Sequence, residues 1–436
     1  MPPAVSTAPD APELRLLTVP FNALHGLQVP LTTAIAEVLA GTPAERVIER
    51  LFRANRDLTA EQRHALAESI FGVALWRRRL AWHARLEQSS SPTPEHATAL
   101  LFVFLRDLAR VPPGDAACWS GFTGNPPPTR PAPAEFAVRF SLPDWLADML
   151  ERELGPDAVA FADAINVPGP ITLRANTLVG TREQLANRLA EEGLTTAPGR
   201  WSPLALHVTS PQRPNVFGLR AWREGASEVQ DEGSQLIGAL VAARPGETVL
   251  DFCAGAGGKT LQLAAALQGS GVVHAYDVDA ERLIRLRARA DRAHASSSIQ
   301  IHEQLPSESL QVDAVLVDAP CSELGALRRG PDLRFRIDPR SLDAFPPLQR
   351  ELLERAQRHV RPSGRLVYAT CTIRREENED VALAFEHAHP DFVRLRPPAA
   401  WLHESFVRDA FFHAWPHAHG TDGFFAAVWA RTGDNA

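Results

Sequence analysis

The chain has 436 residues, of which 45% are hydrophobic and 22% charged, and its formal net charge is −7. This length suggests two or three domains, because domains commonly hold about 150 residues. The composition is that of a globular protein and argues against wholesale disorder, a collagen-like chain or a coiled coil. The negative charge excludes binding by overall basicity, although a local basic groove is compatible with it.

The N-terminal part of the chain is predicted to be helical. Residues 1–20 are rich in proline and alanine and predict a flexible tail. From residue 21 to residue 110 apolar side chains recur at helical spacing, which predicts an all-α domain. Residues 111–140 contain many prolines and glycines and therefore predict a linker.

Helix and strand patterns alternate in the rest of the chain. Residues 141–235 predict a small α+β subdomain, and residues 236–436 predict a larger α/β domain. The buried strands of the larger domain are predicted at residues 248–251, 272–277, 314–318 and 364–368. Strands that alternate with helices favour a parallel, doubly wound sheet, whose ligand lies at the carboxyl ends of the strands.

A glycine-rich loop follows the first of these strands and opens a helix. It consists of Cys253, Ala254, Gly255, Ala256, Gly257, Gly258 and Lys259. Glycines let the backbone turn sharply and approach a ligand closely, and the start of the helix offers free N–H donors. Asp277 ends the next strand, where a carboxylate can accept hydrogen bonds from ribose hydroxyls. The pattern indicates a nucleoside cofactor; a tight structural turn is the alternative.

Two cysteines are predicted at the ends of adjacent strands. Cys321 follows Asp318-Ala319-Pro320, and Cys371 follows the strand at residues 364–368. A thiolate can add to C6 of a pyrimidine, after which C5 can accept a methyl group. Asp318 stands where it can supply a proton at N3 of the base. A lone cysteine after a strand is more often buried filler, but two cysteines beside an aspartate favour covalent catalysis.

Cysteine and lysine are both scarce in this chain. Cys118 and Cys253 complete a set of four cysteines without a CxxC pair or a zinc-type spacing, so we predict neither a metal site nor a disulfide framework. Lys259 is the single lysine of an arginine-rich chain, which indicates a specific role. We find no secretory signal and no apolar run of membrane-spanning length, and we therefore expect a cytoplasmic protein with reduced thiols.

The order of these motifs resembles that of the Nop2/Sun family of RNA cytosine-C5 methyltransferases over most of the chain. Each motif alone is weak, whereas their order and spacing together are specific. Besides the glycine loop and the two cysteine motifs, the resemblance rests on residues 50–56, 70–73, 173–176, 230–235, 328–332, 376–379 and 421–425. It implies a C-terminal class I, Rossmann-like methyltransferase domain and an N-terminal NusB-like domain that binds RNA.

The resemblance also implies roles for the residues of the site. Cys371 would attack C6 of a cytosine, and Cys321 would assist release of the methylated product. Asp318 would hydrogen-bond the target base and lie at the cofactor site, and Lys259 would contact the active site. S-adenosylmethionine would lie on residues 253–259 with its ribose on Asp277.

The implied substrate is RNA, and small-subunit ribosomal RNA is the expected class. Arg174, Arg328 and Arg329 would bind it, since phosphate contacts position a strand without reading its sequence. We expect the chain to act as a monomer, without a membrane or a metal ion.

Two other functions stay open at this stage. A non-catalytic RNA-binding assembly factor on a degenerate methyltransferase scaffold is supported only by two departures from the family pattern. The first is Glu323, a carboxylate close to Cys321, and the second is the position where relatives carry an aspartate, for which Glu303 and Gln304 are the candidates here. A nicotinamide-dependent oxidoreductase is disfavoured by the glycine spacing, which is not GxGxxG, and it leaves both strand-end cysteines unexplained.

Overall fold

The computed structural model describes residues 15–86, 92–210, 214–397 and 401–433, and it divides into two compact units. The first, named the helical unit here, comprises the chain up to residue 168 together with residues 327–339. The second, named the sheet unit, comprises residues 169–326 and 340–436. None of the described helices is both long and apolar enough to cross a membrane.

The helical unit is built from α-helices and short 3₁₀ or π turns. Its α-helices are α1 (Gln28–Leu39), α2 (Ala44–Ala54), α3 (Ala60–Ala84), α4 (Pro94–Val103), α5 (Pro113–Ser120), α6 (Phe136–Arg139), α7 (Asp144–Leu154) and α8 (Ala158–Ile165). The long helix α3 begins with a capping box, in which Thr59 and Gln62 exchange side-chain to backbone hydrogen bonds. Gly72 lets α3 pack closely on Phe104, because a Cβ at this glycine would lie 2.3 Å from the Phe104 ring.

The domain boundaries differ from the sequence prediction in the helical unit. Residues 111–140, predicted as a linker, contain α5 and α6, since Pro113 opens α5 at a position where its missing N–H costs nothing. The helices α7 and α8, predicted to belong to the α+β subdomain, group with the helical unit. Of the predicted tail, residues 1–14 lie outside the described residues, while Leu16 and Val19 are buried.

The sheet unit begins with a small antiparallel sheet. Its strands are β1 (Thr172–Ala175), β2 (Thr196–Pro198), β3 (Ala205–Val208) and β4 (Ser227–Val229), in the order β2-β3-β1-β4. Two helices, α9 (Arg182–Glu191) and α10 (Arg220–Arg223), accompany them. Leu173, Leu185, Leu189 and Leu206 form part of a core between this sheet and α9.

A larger sheet follows, and it has nine strands within the described residues. They are β5 (Thr248–Asp251), β6 (Val272–Tyr276), β7 (Ile299–His302), β8 (Val312–Asp318), β9 (Val360–Thr370), β10 (Phe392–Leu395), β11 (Val407–Arg408), β12 (Phe411–Ala414) and β13 (Phe424–Arg431). The order is β11-β12-β13-β9-β8-β5-β6-β7, and β10 pairs with β13. The accompanying helices are α11 (Glu232–Leu240), α12 (Gly258–Ala266), α13 (Ala280–Arg292), α14 (Phe345–Ala356), α15 (Glu379–Ala388) and α16 (Pro416–His419).

The predicted parallel sheet is confirmed for its four predicted strands, while the antiparallel pairs involve β10 to β13, for which the sequence predicts no strands. Strands β5 to β9 pair in parallel, whereas β13 is antiparallel to β9, β10 and β12. The connection between β12 and β13 is too short for the crossover that a parallel pair needs, so this pair is antiparallel. The sequence pattern indicates where strands lie, but the neighbour of each strand and its direction depend on the connections between the strands.

The register of the parallel strands places the ends of β8 and β9 side by side. Asp318, the last residue of β8, pairs with Ala369, and the backbone N–H of Ala319 donates to the carbonyl of Ala369 at 2.9 Å. Apolar side chains on these strands, such as Val315 and Leu366, are fully buried. The chain segments that leave β8 and β9 therefore start from neighbouring points on a rigid edge.

Candidate active site

The segments that follow β8 and β9 bring two thiols together. The Sγ atoms of Cys321 and Cys371 lie 3.3 Å apart, and the backbone N–H of Cys371 points to the Cys321 sulfur at 3.3 Å. Cys321 is buried, whereas Cys371 is half-buried. Two sulfurs at contact distance, one of them partly accessible, can act in succession on the same substrate.

The segment after Cys321 is fixed to the segment after Cys371 by buried polar groups. The Ser322 N–H donates to Glu377 Oε2 at 3.0 Å, and the hydroxyls of Ser322 and Thr372 are hydrogen-bonded at 2.6 Å. Glu377 is fully buried and also accepts a hydrogen bond from Gln349. In the sequence, Glu377 is marked only by its place in the family motif at residues 376–379, which does not indicate this supporting role.

A close backbone contact between three segments adds to this support. The Gly325 N–H donates to the carbonyl of Cys371 at 2.9 Å, and the Gly423 N–H donates to the carbonyl of Gly325 at 2.8 Å. A Cβ at Gly325 would lie 2.2 Å from the Gly423 carbonyl oxygen, so only glycine fits here. No local sequence pattern marks Gly325, because the carbonyls that approach it are distant in sequence.

The single lysine reaches the end of β8. Lys259 Nζ forms an ion pair with Asp318 Oδ2 at 2.6 Å, and it lies 5.6 Å from the centre of the Phe424 ring. Burial lowers the pKa of Lys259, but the attraction of Asp318 and the hydrogen bond that Lys259 donates to it outweigh burial, so the net shift of this pKa is upward. A charged lysine thus holds the Asp318 carboxylate in place.

The environment of Cys371 keeps its thiol protonated. Its pKa is raised well above 9 by the hydrogen bond with Cys321, by burial, and by the negative charges of Asp318 and Glu323. The Glu323 side chain is exposed, and its φ of 57° lies in the left-handed region that favours glycine. Glu323 therefore acts on Cys371 through its charge and points to solvent.

The glycine loop is held by the carboxylate at the end of β6. Asp277 accepts hydrogen bonds from the N–H groups of Gly255 at 2.8 Å and Asp279 at 2.9 Å. Gly255 and Gly257 have φ values of 53° and 89°, and Gly258 opens α12. Each Asp277 oxygen keeps a further lone pair that a ribose hydroxyl can use. Asp277 thus supports the loop as well as the predicted ribose site.

Open space borders this loop where a ligand could lie. A Cβ built at Gly255 or Gly258 meets no described atom within 4 Å, whereas a Cβ at Gly257 would lie 2.8 Å from Leu286 Cγ. Gly257 is therefore required for packing against α13. Gly255 and Gly258 instead leave room beside the helix start, which is the arrangement that a closely approaching ligand needs.

A buried carboxylate, Asp251, ends β5 just before the glycine loop, and the half-buried Cys253 is the first residue of the loop. Thr260 Oγ1 donates to Asp251 Oδ2 at 2.7 Å, and burial raises the pKa of Asp251 to about 7. Burial likewise raises the pKa of Cys253, with added repulsion from Asp251. The Cys253 thiol therefore stays neutral in the glycine loop.

Arg174 is predicted from the sequence to contact RNA, but in the structure its side chain is buried. It lies on β1 with only 2% of its surface exposed, and it donates to the carbonyl of Gly258 at 2.8 Å and to Gln230 Oε1 at 2.5 Å. Burial lowers the pKa of Arg174 to about 10. The side chain supports the glycine loop from within the sheet unit, because every residue of β1 faces packed structure.

The other residues of interest from the sequence belong to other segments of the chain. Arg328 and Arg329 belong to residues 327–339 of the helical unit, where Arg328 is buried and Arg329 is exposed. Glu303 and Gln304 are exposed after β7. Across the described ranges, no group of three or more histidine, cysteine, aspartate or glutamate side chains could hold a metal ion.

Comparison with known families agrees with this geometry. A family model described as 16S rRNA methyltransferase RsmB/F matches residues 239–430. A second model, described as the ferredoxin-like domain of RsmF/B-like methyltransferases, matches residues 142–214. The first match covers β5 to β12 and nearly all of β13. The second covers β1, β2, β3 and the helices α7, α8 and α9, and it begins close to residue 141, the predicted start of the α+β subdomain.

Individual relatives point the same way. The chain is 32% identical over 306 residues to the probable ribosomal RNA small subunit methyltransferase B of Bacillus subtilis, covering 68% of each chain. It is 34% identical over 321 residues to the human 28S rRNA (cytosine(4447)-C(5))-methyltransferase, covering 68% of this chain and 39% of that one.

A solved structure shares the fold. The crystal structure of a methyltransferase homolog protein from Pyrococcus horikoshii superimposes with a TM-score of 0.57 at 26% identity, over 68% of this chain and 97% of that one. The predicted methyltransferase fold is thereby confirmed for this part of the chain. The chain belongs to the Nop2/Sun family of RNA cytosine-C5 methyltransferases, in the group described as RsmB/F.

Proposed function

We propose that this protein transfers a methyl group from S-adenosylmethionine to C5 of a cytosine in small-subunit ribosomal RNA, through a covalent bond between Cys371 and C6. The observation that carries this proposal is the 3.3 Å separation of the Cys321 and Cys371 sulfurs beside the Lys259–Asp318 ion pair. The choice of RNA is supported by the name of the bacterial relative. We further propose that the protein acts as a monomer in the cytoplasm and that its helical unit is NusB-like.

The proposed reaction uses the two thiols in turn. The Cys371 thiolate adds to C6. A proton that the Asp318–Lys259 pair delivers to N3 neutralises the negative charge that this addition places on the ring. C5 thereby becomes nucleophilic, and the bound cofactor would supply its methyl group to C5 and leave as S-adenosylhomocysteine. The C5 proton then passes to the Cys321 thiolate. The bond between sulfur and C6 breaks as the N3 proton returns to the Asp318–Lys259 pair, which releases 5-methylcytosine and the Cys371 thiolate.

The residues of the glycine loop fit the proposed cofactor. When bound, S-adenosylmethionine supplies an electrophilic methyl group on a sulfonium. The space beside Gly255 and Gly258 would admit the nucleoside, and the free lone pairs of Asp277 would accept hydrogen bonds from its ribose. Arg174, bonded to the Gly258 carbonyl, would keep the loop in this shape.

Direct product analysis tests the proposal. Purified protein would be incubated with S-adenosylmethionine carrying a tritiated methyl group and with a transcript of small-subunit ribosomal RNA. After digestion to nucleosides, we expect the label in 5-methylcytidine. A transcript of large-subunit ribosomal RNA is the matched control and should take up little label. Label in another nucleoside would contradict the chemistry, and label in the control alone would contradict the substrate class.

The raised pKa of Cys371 predicts a pH dependence. The thiolate is the nucleophile, and below its pKa its fraction grows about tenfold for each pH unit. Because the hydrogen bond to Cys321, burial and nearby carboxylates hold this pKa above 9, methyl transfer should rise steadily from pH 6.5 to pH 9. Single-turnover rates at saturating RNA and cofactor would measure it. A flat profile, with folding unchanged over this range, would contradict the prediction.

A further inference from the structure

A cavity in the helical unit combines positive charge with aromatic rings. Its volume is about 280 Å³. Arg77 and Arg78 of α3 line it together with Trp145 of α7. Arg334 and Phe335 complete this wall from residues 327–339, the segment that follows the Cys321 motif in the chain.

Arg334 is a fully buried cation in this wall. Its exposed fraction is 0%, and its terminal nitrogens donate to Asn166 Oδ1 at 2.6 Å and to the Ile165 carbonyl at 3.1 Å. Its Nε is buried and has no hydrogen-bond partner among the described residues. Burial lowers the pKa of Arg334 to about 9, so it is still charged at neutral pH. A buried charge bonded only to neutral oxygens is costly.

Arg77 adds a second, poorly compensated charge. Its guanidinium lies 3.6 Å from the centre of the Phe335 ring. Burial lowers the pKa of Arg77 to about 10, and the attraction of Asp332 offsets only part of this shift. Asp332 is itself shared, because it pairs with Arg336 at 2.9 Å and accepts a hydrogen bond from the Ala44 N–H at 3.3 Å.

The carboxylate that lines the cavity already forms an ion pair with another arginine. Asp144, which lines the cavity, forms an ion pair with Arg78 at 2.5 Å. The charges of Arg77 and Arg334 thus exceed those that the surrounding carboxylates neutralise. An anionic group that entered the cavity would lower the free energy of burying these guanidinium groups.

We propose that this cavity binds one nucleotide of the RNA strand, with its phosphate beside Arg77 and its base against Trp145. Arg334 would contribute its buried charge from behind the phosphate. Guanidinium groups pair well with phosphate, and exposed aromatic rings stack on bases of any sequence. This assignment rests on the proposed function, since RNA is the phosphate-bearing polymer that such an enzyme must hold.

Salt-dependent binding tests the phosphate contact. Binding of a 12-nucleotide single-stranded RNA to the full chain would be measured between 50 and 300 mM salt. For Arg77→Met we expect affinity to fall about tenfold and the slope of log K against log salt to shrink by about 0.7, the value for one phosphate on a single strand. Arg53→Gln removes an equal charge from the exposed surface of α2 and should leave affinity within twofold.

A second variant distinguishes the proposed contact with the base from the proposed contact with the phosphate. Trp145→Leu removes the aromatic face while keeping every charge, so affinity should fall severalfold with an unchanged salt slope. The melting temperature of Arg77→Met should stay the same or rise, because an incompletely compensated buried charge is removed. If Arg77→Met fails to fold, Trp145→Leu decides the question.

Three results would overturn the inference. First, if Arg77→Met and Trp145→Leu both bind RNA as tightly as Arg53→Gln, RNA binds elsewhere. Second, if inorganic phosphate displaces the RNA and raises the melting temperature of the wild type as much as uridine monophosphate does, the cavity is a site for free phosphate. Third, if the wild type methylates RNA but binds it without any dependence on salt, this site is rejected and the proposed function stands. A wild type that neither binds nor methylates RNA would instead reject the proposed function.

Discussion

Replacement of Cys371 by alanine is expected to abolish methyl transfer to RNA while leaving binding of S-adenosylmethionine within twofold. Without this sulfur no bond to C6 can form, and C5 of the cytosine is not activated. Loss of a nucleophile that acts as a unit with its partners costs orders of magnitude in rate, so we expect a decrease of at least about a thousandfold. Incorporation of tritiated methyl groups into RNA would measure it.

Cys118→Ala is the matched control for this variant. Cys118 is an exposed thiol on α5 of the helical unit, and its removal should leave the rate unchanged. Both variants lose one sulfur, so a general effect of cysteine replacement would appear in both. Methyl transfer by Cys371→Ala at the rate of Cys118→Ala would remove Cys371 from the mechanism. It would also favour a chemistry in which Cys321 attacks alone.

The pairing of the two cysteines is a feature that the sequence could reveal. Cys321 and Cys371 each follow a buried apolar run, and the carboxyl ends of parallel strands meet at one edge of a sheet. Lys259 was also accessible to sequence reasoning, since it is the single lysine and follows the glycine loop. These residues share a local signal, namely a motif directly after a strand.

The supports of the site could not be found in this way. Gly325 is required because the carbonyls of Cys371 and Gly423 approach it, and those residues come from distant parts of the chain. Arg174 looked like a surface cation, yet long-range packing buries it under the glycine loop. Such roles depend on tertiary contacts that no local pattern encodes.

Replacement of Cys321 by alanine should have the opposite signature from Cys371→Ala. Turnover would fall, but a covalent adduct between protein and RNA would accumulate. Cys371 can still attack C6 in this variant, whereas the group that takes the C5 proton is missing and the bond between sulfur and C6 cannot break. A band of protein crosslinked to labelled RNA, stable in denaturing gels, would measure the adduct.

The contact between the sulfurs also predicts how adduct formation by Cys321→Ala depends on pH. The hydrogen bond with Cys321 is the largest cause of the raised pKa of Cys371, so its loss should lower this pKa and increase the thiolate fraction at pH 7. Adduct formation should therefore saturate at a lower pH in Cys321→Ala than the wild-type rate does. The double variant, which also carries Cys371→Ala, should form no adduct at any pH. An adduct in the double variant would show that another residue bonds to the RNA. Absence of an adduct in Cys321→Ala, with the fold intact, would mean that a group other than Cys321 removes the C5 proton.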